Sequence, residues 1–255
     1  MTGHLDPATT KPATVPLTID ALDLEQFVEV AARYGSDDLG FVVTPNVDHM
    51  IRYRESAEFR AFYADAAYVL LDSQFASTLV RLLYGLRIPV CKGSDLTDAL
   101  FSRVIQADDV IVLVGASSEQ ADTLRQRYGL RKLLHHNPPM GFADDPQAVE
   151  AVLDFIESAT PFRYCLMAVG SPRQEMVSRM LVQRARARGL VLCIGASINF
   201  LTGGERRAPQ WMQRCGLEWL YRLLQDPRRL AHRYLVRGPR FFVQLSRDQL
   251  LLRQR

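Results

Sequence analysis

Short runs of consecutive apolar residues alternate along the chain with longer stretches whose apolar positions recur at helical spacing. The runs FVVT (41–44), YVLL (68–71), VIVLVG (110–115), RKLLHH (131–136), YCLMAV (164–169) and VLCIG (191–195) predict strands. Between and around them, amphipathic patterns predict helices near 20–34, 50–66, 74–84, 95–107, 118–128, 146–158 and 173–188. Such alternation predicts a Rossmann-like α/β fold, with right-handed crossovers and a mostly parallel sheet covered by helices on both faces. From Pro209 onward the pattern is helical only, with Leu217, Leu220, Tyr221 and Leu224 on one face. There QDPRR (225–229) predicts a helix start, with Asp226 as cap and Pro227 at the first helical position. The expected organisation is a disordered leader (1–16), an α/β core (17–205) and a helical appendage (206–255).

The leader MTGHLDPATTKPATVP is rich in Thr, Pro and Ala and lacks the apolar centre of a secretion signal. No apolar run approaches the roughly 20 residues of a membrane-spanning helix. The expected location is therefore the cytoplasm. Cys91, Cys165, Cys193 and Cys215 form no C-x-x-C pair, and Cys165 and Cys193 sit in apolar runs as reduced core residues would. His135 and His136 have no Cys or acidic residue at ligand spacing and read as a loop pair, so no metal site is expected. The net charge of +3 is unevenly spread. Residues 206–255 carry twelve Arg against three acids, a balance of +9 that leaves −6 for the rest.

In an open parallel sheet, ligands bind beyond the carboxyl ends of the strands, among backbone N–H groups and helix N-termini. Several turns that follow strands are suitably polar. VTPNVDH (43–49) offers Thr44 and Asn46, LLDSQ (70–74) brings Asp72 straight out of a buried run, and KGSDL (92–96) offers Ser94 and Asp95. VGASSEQ (114–120) supplies Gly115 for close approach, with Ser117 and Gln120 at capping-box spacing. Each is also an ordinary way to start a helix. The turn VGSPRQE (169–175) sharpens the choice. Ser171 fits an N-cap, Pro172 the first helical position and Gln174 the third, so capping accounts for all three. Arg173 is not accounted for, because a cation in the first turn opposes the helix dipole unless an anion sits there.

TPNVDH, LLDSQ, GSDL, VGSPRQE and IGASINFLTGGERRAPQWMQRCGLEWLYRLLQDPRRLAHRY, in this order and at these separations, resemble the WecG/TagA/CpsF glycosyltransferases. The resemblance runs from about residue 15 to 245, and 206–230 is its most specific part. It implies an inverting, metal-independent enzyme without a cofactor. Such an enzyme moves a sugar from a UDP-sugar to a sugar on undecaprenyl diphosphate at the inner membrane face, for exopolysaccharide or another surface polysaccharide. It also implies Asp72 as general base, Thr44 and Asn46 as the polar turn beside it, and Gln174 with Glu175 in the family's P-x-Q-E. Ser94, Asp95, Gly115, Gly170, Arg173 and Asn199 complete the expected substrate site. Two positions depart from the family pattern: Ser73, where Gly is usual, and Asn199, where Asp is usual. Donor and acceptor identity stay open.

The tail interleaves Arg with Leu, Trp219, Tyr221, Tyr234, Phe241 and Phe242. That mixture suits an anionic lipid surface rather than nucleic acid. Arg214, Arg222, Arg228, Arg229 and Arg233 are the expected membrane or acceptor contacts, and a homo-oligomer is compatible with the sequence. Two other readings compete. One is a nucleotide-sugar-binding regulatory or scaffolding subunit that has lost catalysis. The other is an oxidoreductase, against which no G-x-G-x-x-G follows any strand.

Overall fold

The computed structural model describes residues 16–35, 37–205, 208–209, 212, 218–225 and 252–254. The chain opens with β1 (Leu17–Ile19), α1 (Leu24–Arg33), β2 (Leu39–Val43), α2 (Val47–Glu55), α3 (Ala57–Tyr63) and β3 (Tyr68–Val69). It continues through α4 (Gln74–Tyr84), α5 (Gly93–Arg103), β4 (Val110–Gly115), α6 (Ser118–Tyr128) and β5 (Lys132–His136). A 3-10 turn (Phe142–Asp144) leads to α7 (Pro146–Ser158), β6 (Tyr164–Ala168), α8 (Arg173–Arg184), β7 (Gly189–Cys193) and α9 (Ser197–Leu201). Beyond these lie α10 (Glu218–Gln225) and β8 (Leu252–Gln254).

Six strands form one wholly parallel sheet in the order β3-β2-β7-β6-β4-β5. Its central strands are apolar on both sides because helices cover both faces. Phe41, Val43, Val112, Val114, Cys165, Met167 and Val191 pack with α2, α3, α4, α7 and α8. Val42, Ile111, Leu113, Leu166, Leu190 and Leu192 pack with α1, α5, α6 and α9. Cys91, Cys165 and Cys193 are free and buried, as expected of the latter two.

The expected α/β alternation is present, with instructive differences. The helix expected over 50–66 is two, because Ser56 ends α2 and its side chain then accepts the Phe59 N–H to start α3. The first helix begins at Leu24 rather than 20, because Asp23 and Gln26 form a capping box. The helix expected to reach 188 stops at Arg184, where Ala185 turns left-handed at φ 52°. The purely helical reading of the chain beyond Pro209 is also corrected. Residues Leu252–Gln254 form a strand parallel to β1, with Leu17 opposite Leu252, and so cover an otherwise open strand edge. The leader, Cys215, Asp226 and Pro227 lie outside the described residues, except Pro16 at the leader's end.

The strand order leaves a natural crevice. From β4 the chain goes outward to β5 by way of α6; from neighbouring β6 it goes the other way to β7 by way of α8. Their following turns therefore diverge, with α6 and α8 on opposite faces. Such a switch point is where open α/β sheets hold ligands.

Candidate active site

The turns singled out in the sequence all lie at the carboxyl edge of this sheet. After β2, Thr44 Oγ1 donates to the Cys193 carbonyl at the end of β7, 3.3 Å away. Gly93, which opens α5, comes in against this pair: a Cβ there would lie 3.1 Å from Thr44 Oγ1 and 3.7 Å from Ser197 Oγ. Thr44, Ser197 and the first turn of α5, with half-buried Ser94 and Asp95, thus share one corner. Asn46 is the N-cap of α2, its Oδ1 accepting from the Asp48 and His49 amides.

Asp72 emerges half-buried beside them at the end of edge strand β3, its N–H bonded to the Pro45 carbonyl at 2.9 Å. Cys91 returns to the same place, its N–H on the Leu71 carbonyl. Burial, and then the charges of Asp72, Asp95 and Asp23, push the Cys91 thiol up to about 12. Two of the acids expected in the site therefore face a common buried neighbour.

Under β6 the outcome differs from expectation. Ser171 does not cap α8 and Pro172 does not stand at its first position: Pro172 is the N-cap, with ψ 0°, and there is no side-chain cap. Because the cap sits one residue late, Ser171 precedes the helix and is out of reach of its first-turn amides. Gln174 is no capping-box residue either. It is buried, its Oε1 accepting the Gly195 N–H at 3.0 Å and its Nε2 donating to Glu175 Oε1 at 2.9 Å. Arg173 Nη2 lies back over the turn, 3.4 Å from where a Cβ on Gly170 would stand.

Glu175 is 1% exposed and faces His49 Nε2 at 3.5 Å. The Asn46 N–H is directed at His49 Nδ1 (3.4 Å), which leaves the ring proton on Nε2, toward Glu175. Burial alone would raise the Glu175 carboxyl; the His49 hydrogen bond, with the Gln174 amide, outweighs it and holds it below the ordinary glutamate value. A continuous chain of contacts thus joins the β2, β6 and β7 turns: Asn46, His49, Glu175, Gln174, Gly195. His49 was missed in the sequence. Its one signal was its place three residues after a capping Asn, where a side chain can reach back to the cap amide.

Across the crevice, Gly115 has φ 88°, and a Cβ there would lie 2.9 Å from the Ala168 carbonyl of β6. The expected capping box of Ser117 and Gln120 is present. Gln120 Nε2 goes on to Asn199 Oδ1 (2.9 Å), and Asn199 Nδ2 donates to Glu205 Oε1 (3.1 Å). Asn199 therefore ties α6 to α9.

Helix starts separate into two sets. Asp23, Asn46, Ser56, Ser73, Ser117 and Asp145 cap α1, α2, α3, α4, α6 and α7 with side chains. Among the described residues, α5, α8 and α9 begin without one, at Lys92, Pro172 and Ala196. All three open on the carboxyl edge, where a positive helix end without a side-chain cap favours an anion.

His135 Nε2 meets the Gly115 carbonyl at 3.0 Å, and the His136 ring lies tilted against Phe155. Among the described residues no three His, Cys, Asp or Glu side chains gather as metal ligands would. No described helix is long and apolar enough to cross a membrane. Arg214, Arg228, Arg229 and Arg233 lie outside the described residues; Arg222 falls on α10, its side chain undescribed.

The corner of Thr44, Asp72 and Asp95 and the Gln174–Glu175 turn belong to motifs that carried the resemblance in sequence, and one edge of the sheet gathers them with Gly115. Residues 13–255 match the model of the Glycosyl transferase WecG/TagA/CpsF family, nearly the whole chain. The chain belongs to this family and is a glycosyltransferase of polysaccharide biosynthesis.

Proposed function

We propose that the enzyme moves a sugar from a UDP-sugar to a sugar carried on undecaprenyl diphosphate, by a single inverting displacement without a metal ion. The observation that carries this reading is the trio of uncapped helix starts at the carboxyl edge, α8 with Arg173 folded over its turn. A diphosphate leaving group develops negative charge as the glycosidic bond breaks. The positive ends of these helices and Arg173 stabilise that charge without rearranging. Gly115 lets backbone approach backbone at the β4–β6 switch point, the expected seat of the diphosphate. Asp72 lies three strand spacings from the β6 turn, about 15 Å, a span that suits an extended nucleotide sugar.

In this scheme Asp72 takes the proton from the acceptor hydroxyl as its oxygen attacks the anomeric carbon from the face opposite UDP. Thr44, Asn46, Ser94 and Asp95 shape the sugar end. The Arg-rich appendage holds the enzyme at an anionic inner-membrane surface, where a lipid-linked acceptor resides.

The test is Asp72→Asn. Sugar transfer falls by about a hundredfold or more, while UDP still raises the melting temperature as in wild type. Wild-type turnover by the folded variant overturns the assignment of Asp72 as base.

A further inference from the structure

Between Leu71 and Cys91 the chain makes an excursion closed at its root by the Cys91 N–H on the Leu71 carbonyl. It contains α4 and its return. Ala76, Leu79, Val80 and Ile88 anchor it to the core, and Ser77 Oγ donates to the Ile88 carbonyl at 2.6 Å. The apolar arc of α4 is wider than this anchorage. Phe75, Leu82 and Leu83, with Leu86 just past the helix, extend it into solvent at 44, 74, 40 and 49% exposure. Single exposed leucines are ordinary; four large apolar side chains within twelve residues on one short helix and its turn are not.

Charge identifies the occupant. From Ser73 to Ser94 there is no Asp or Glu, whereas Arg81, Arg87 and Lys92 fall in the segment. A cationic segment with an exposed apolar ridge is the pattern of helices that lie in the headgroup layer of an anionic bilayer. The chain's own appendage carries +9 between 206 and 255 and would be repelled by the same arginines. A second copy would likewise set Arg81 and Arg87 against their own kind across a two-fold interface.

We propose that the α4 excursion is a membrane-docking element, its Phe75, Leu82, Leu83 and Leu86 ridge entering an anionic phospholipid surface with Arg81 and Arg87 at headgroup level. It rests on the reading of a lipid-linked acceptor in one respect: Asp72 and Ser73 stand at the root of the excursion, so docking it sets the base at the height of a lipid-borne diphosphate sugar. The docking surface is distinct from the appendage and works beside it.

The test uses the full chain with vesicles of phosphatidylglycerol and phosphatidylethanolamine, and with phosphatidylcholine vesicles as the uncharged control. Wild type binds the anionic vesicles. Leu82→Glu/Leu86→Glu, altered only at exposed positions, binds them about tenfold more weakly or worse. The variant keeps its melting temperature, its sedimentation coefficient and its transfer to a water-soluble, short-chain acceptor. Arg81→Gln/Arg87→Gln loses affinity for anionic vesicles and none for phosphatidylcholine. Unchanged vesicle affinity in the leucine variant overturns the proposal, as does a variant whose only defect is lost self-association. Failure of wild type to transfer sugar to the soluble acceptor strikes the functional reading instead and leaves the vesicle result standing.

Discussion

At the scale of single residues, Glu175 is the most deeply buried acid among the described residues. Its carboxylate holds the Gln174 amide, which in turn fixes the Gly195 N–H. Because its folded pKa lies below the ordinary value of 4.5, its contribution is fully present above that value and is lost as the pH falls through the folded one. Wild type therefore loses stability on acidification below about pH 4.5 in a way that Glu175→Gln does not. At neutral pH the variant is less stable by about 2 kcal/mol. Melting temperatures of both proteins from pH 7 to 3 check this, and parallel curves contradict it. Asn199 illustrates a different constraint. Its amide donates to Glu205 and accepts from Gln120, a pattern that an aspartate at this place would turn into repulsion with Glu205. The asparagine at this place is thus matched by a neighbouring carboxylate.

At the scale of elements, the β4–β6 contact decides whether the switch point can form. Gly115→Ala drives a Cβ into the Ala168 carbonyl while forcing alanine to φ 88°, and costs about 2 kcal/mol or more. UDP affinity falls with it, measured as a smaller thermal shift at equal ligand. Equal stability and equal UDP response would mean the two turns can part freely. The helix α6 with its Ser117 box, α7 with Pro146 at its start and the strand β4 were all legible in the sequence, because local spacing alone dictates them. What was not legible depends on partners distant in sequence. Ser171 had every local mark of a cap, but the turn places Pro172 there and leaves α8 open. Gln174 looked like a capping residue and is instead held by Gly195, twenty-one residues away. His49 and Glu175 lie 126 positions apart, a pairing no periodicity can report. At Ser171 the turn overrides the local signal and leaves the start of α8 without a side-chain cap.

At the scale of the whole molecule, the described pieces form one edge-loaded machine. The sheet presents its candidate chemistry at the carboxyl edge, and the α4 excursion springs from the strand that carries Asp72. The two-stranded pairing of β1 with β8 adds a connection the sequence did not hint at, since β8 is three residues long and follows an Arg-rich stretch. Asp20, just after β1, exchanges hydrogen bonds with Val69 of β3: the Asp20 N–H to the Val69 carbonyl at 2.9 Å, the Val69 N–H to Asp20 Oδ2 at 2.7 Å. Leu252→Pro bars proline's ring nitrogen from any backbone donation in β8. Hydrogen exchange at the Val69 and Leu70 amides then speeds up, although both lie far from residue 252 in sequence. Unaltered exchange would mean that β8 carries no strain to β3.

The pairing of β8 with β1 stitches Leu252–Gln254 to the first strand. From there the stitch runs through Asp20 to Val69, three residues from Asp72. A pull on β8 is therefore felt at the strand from which Asp72 emerges.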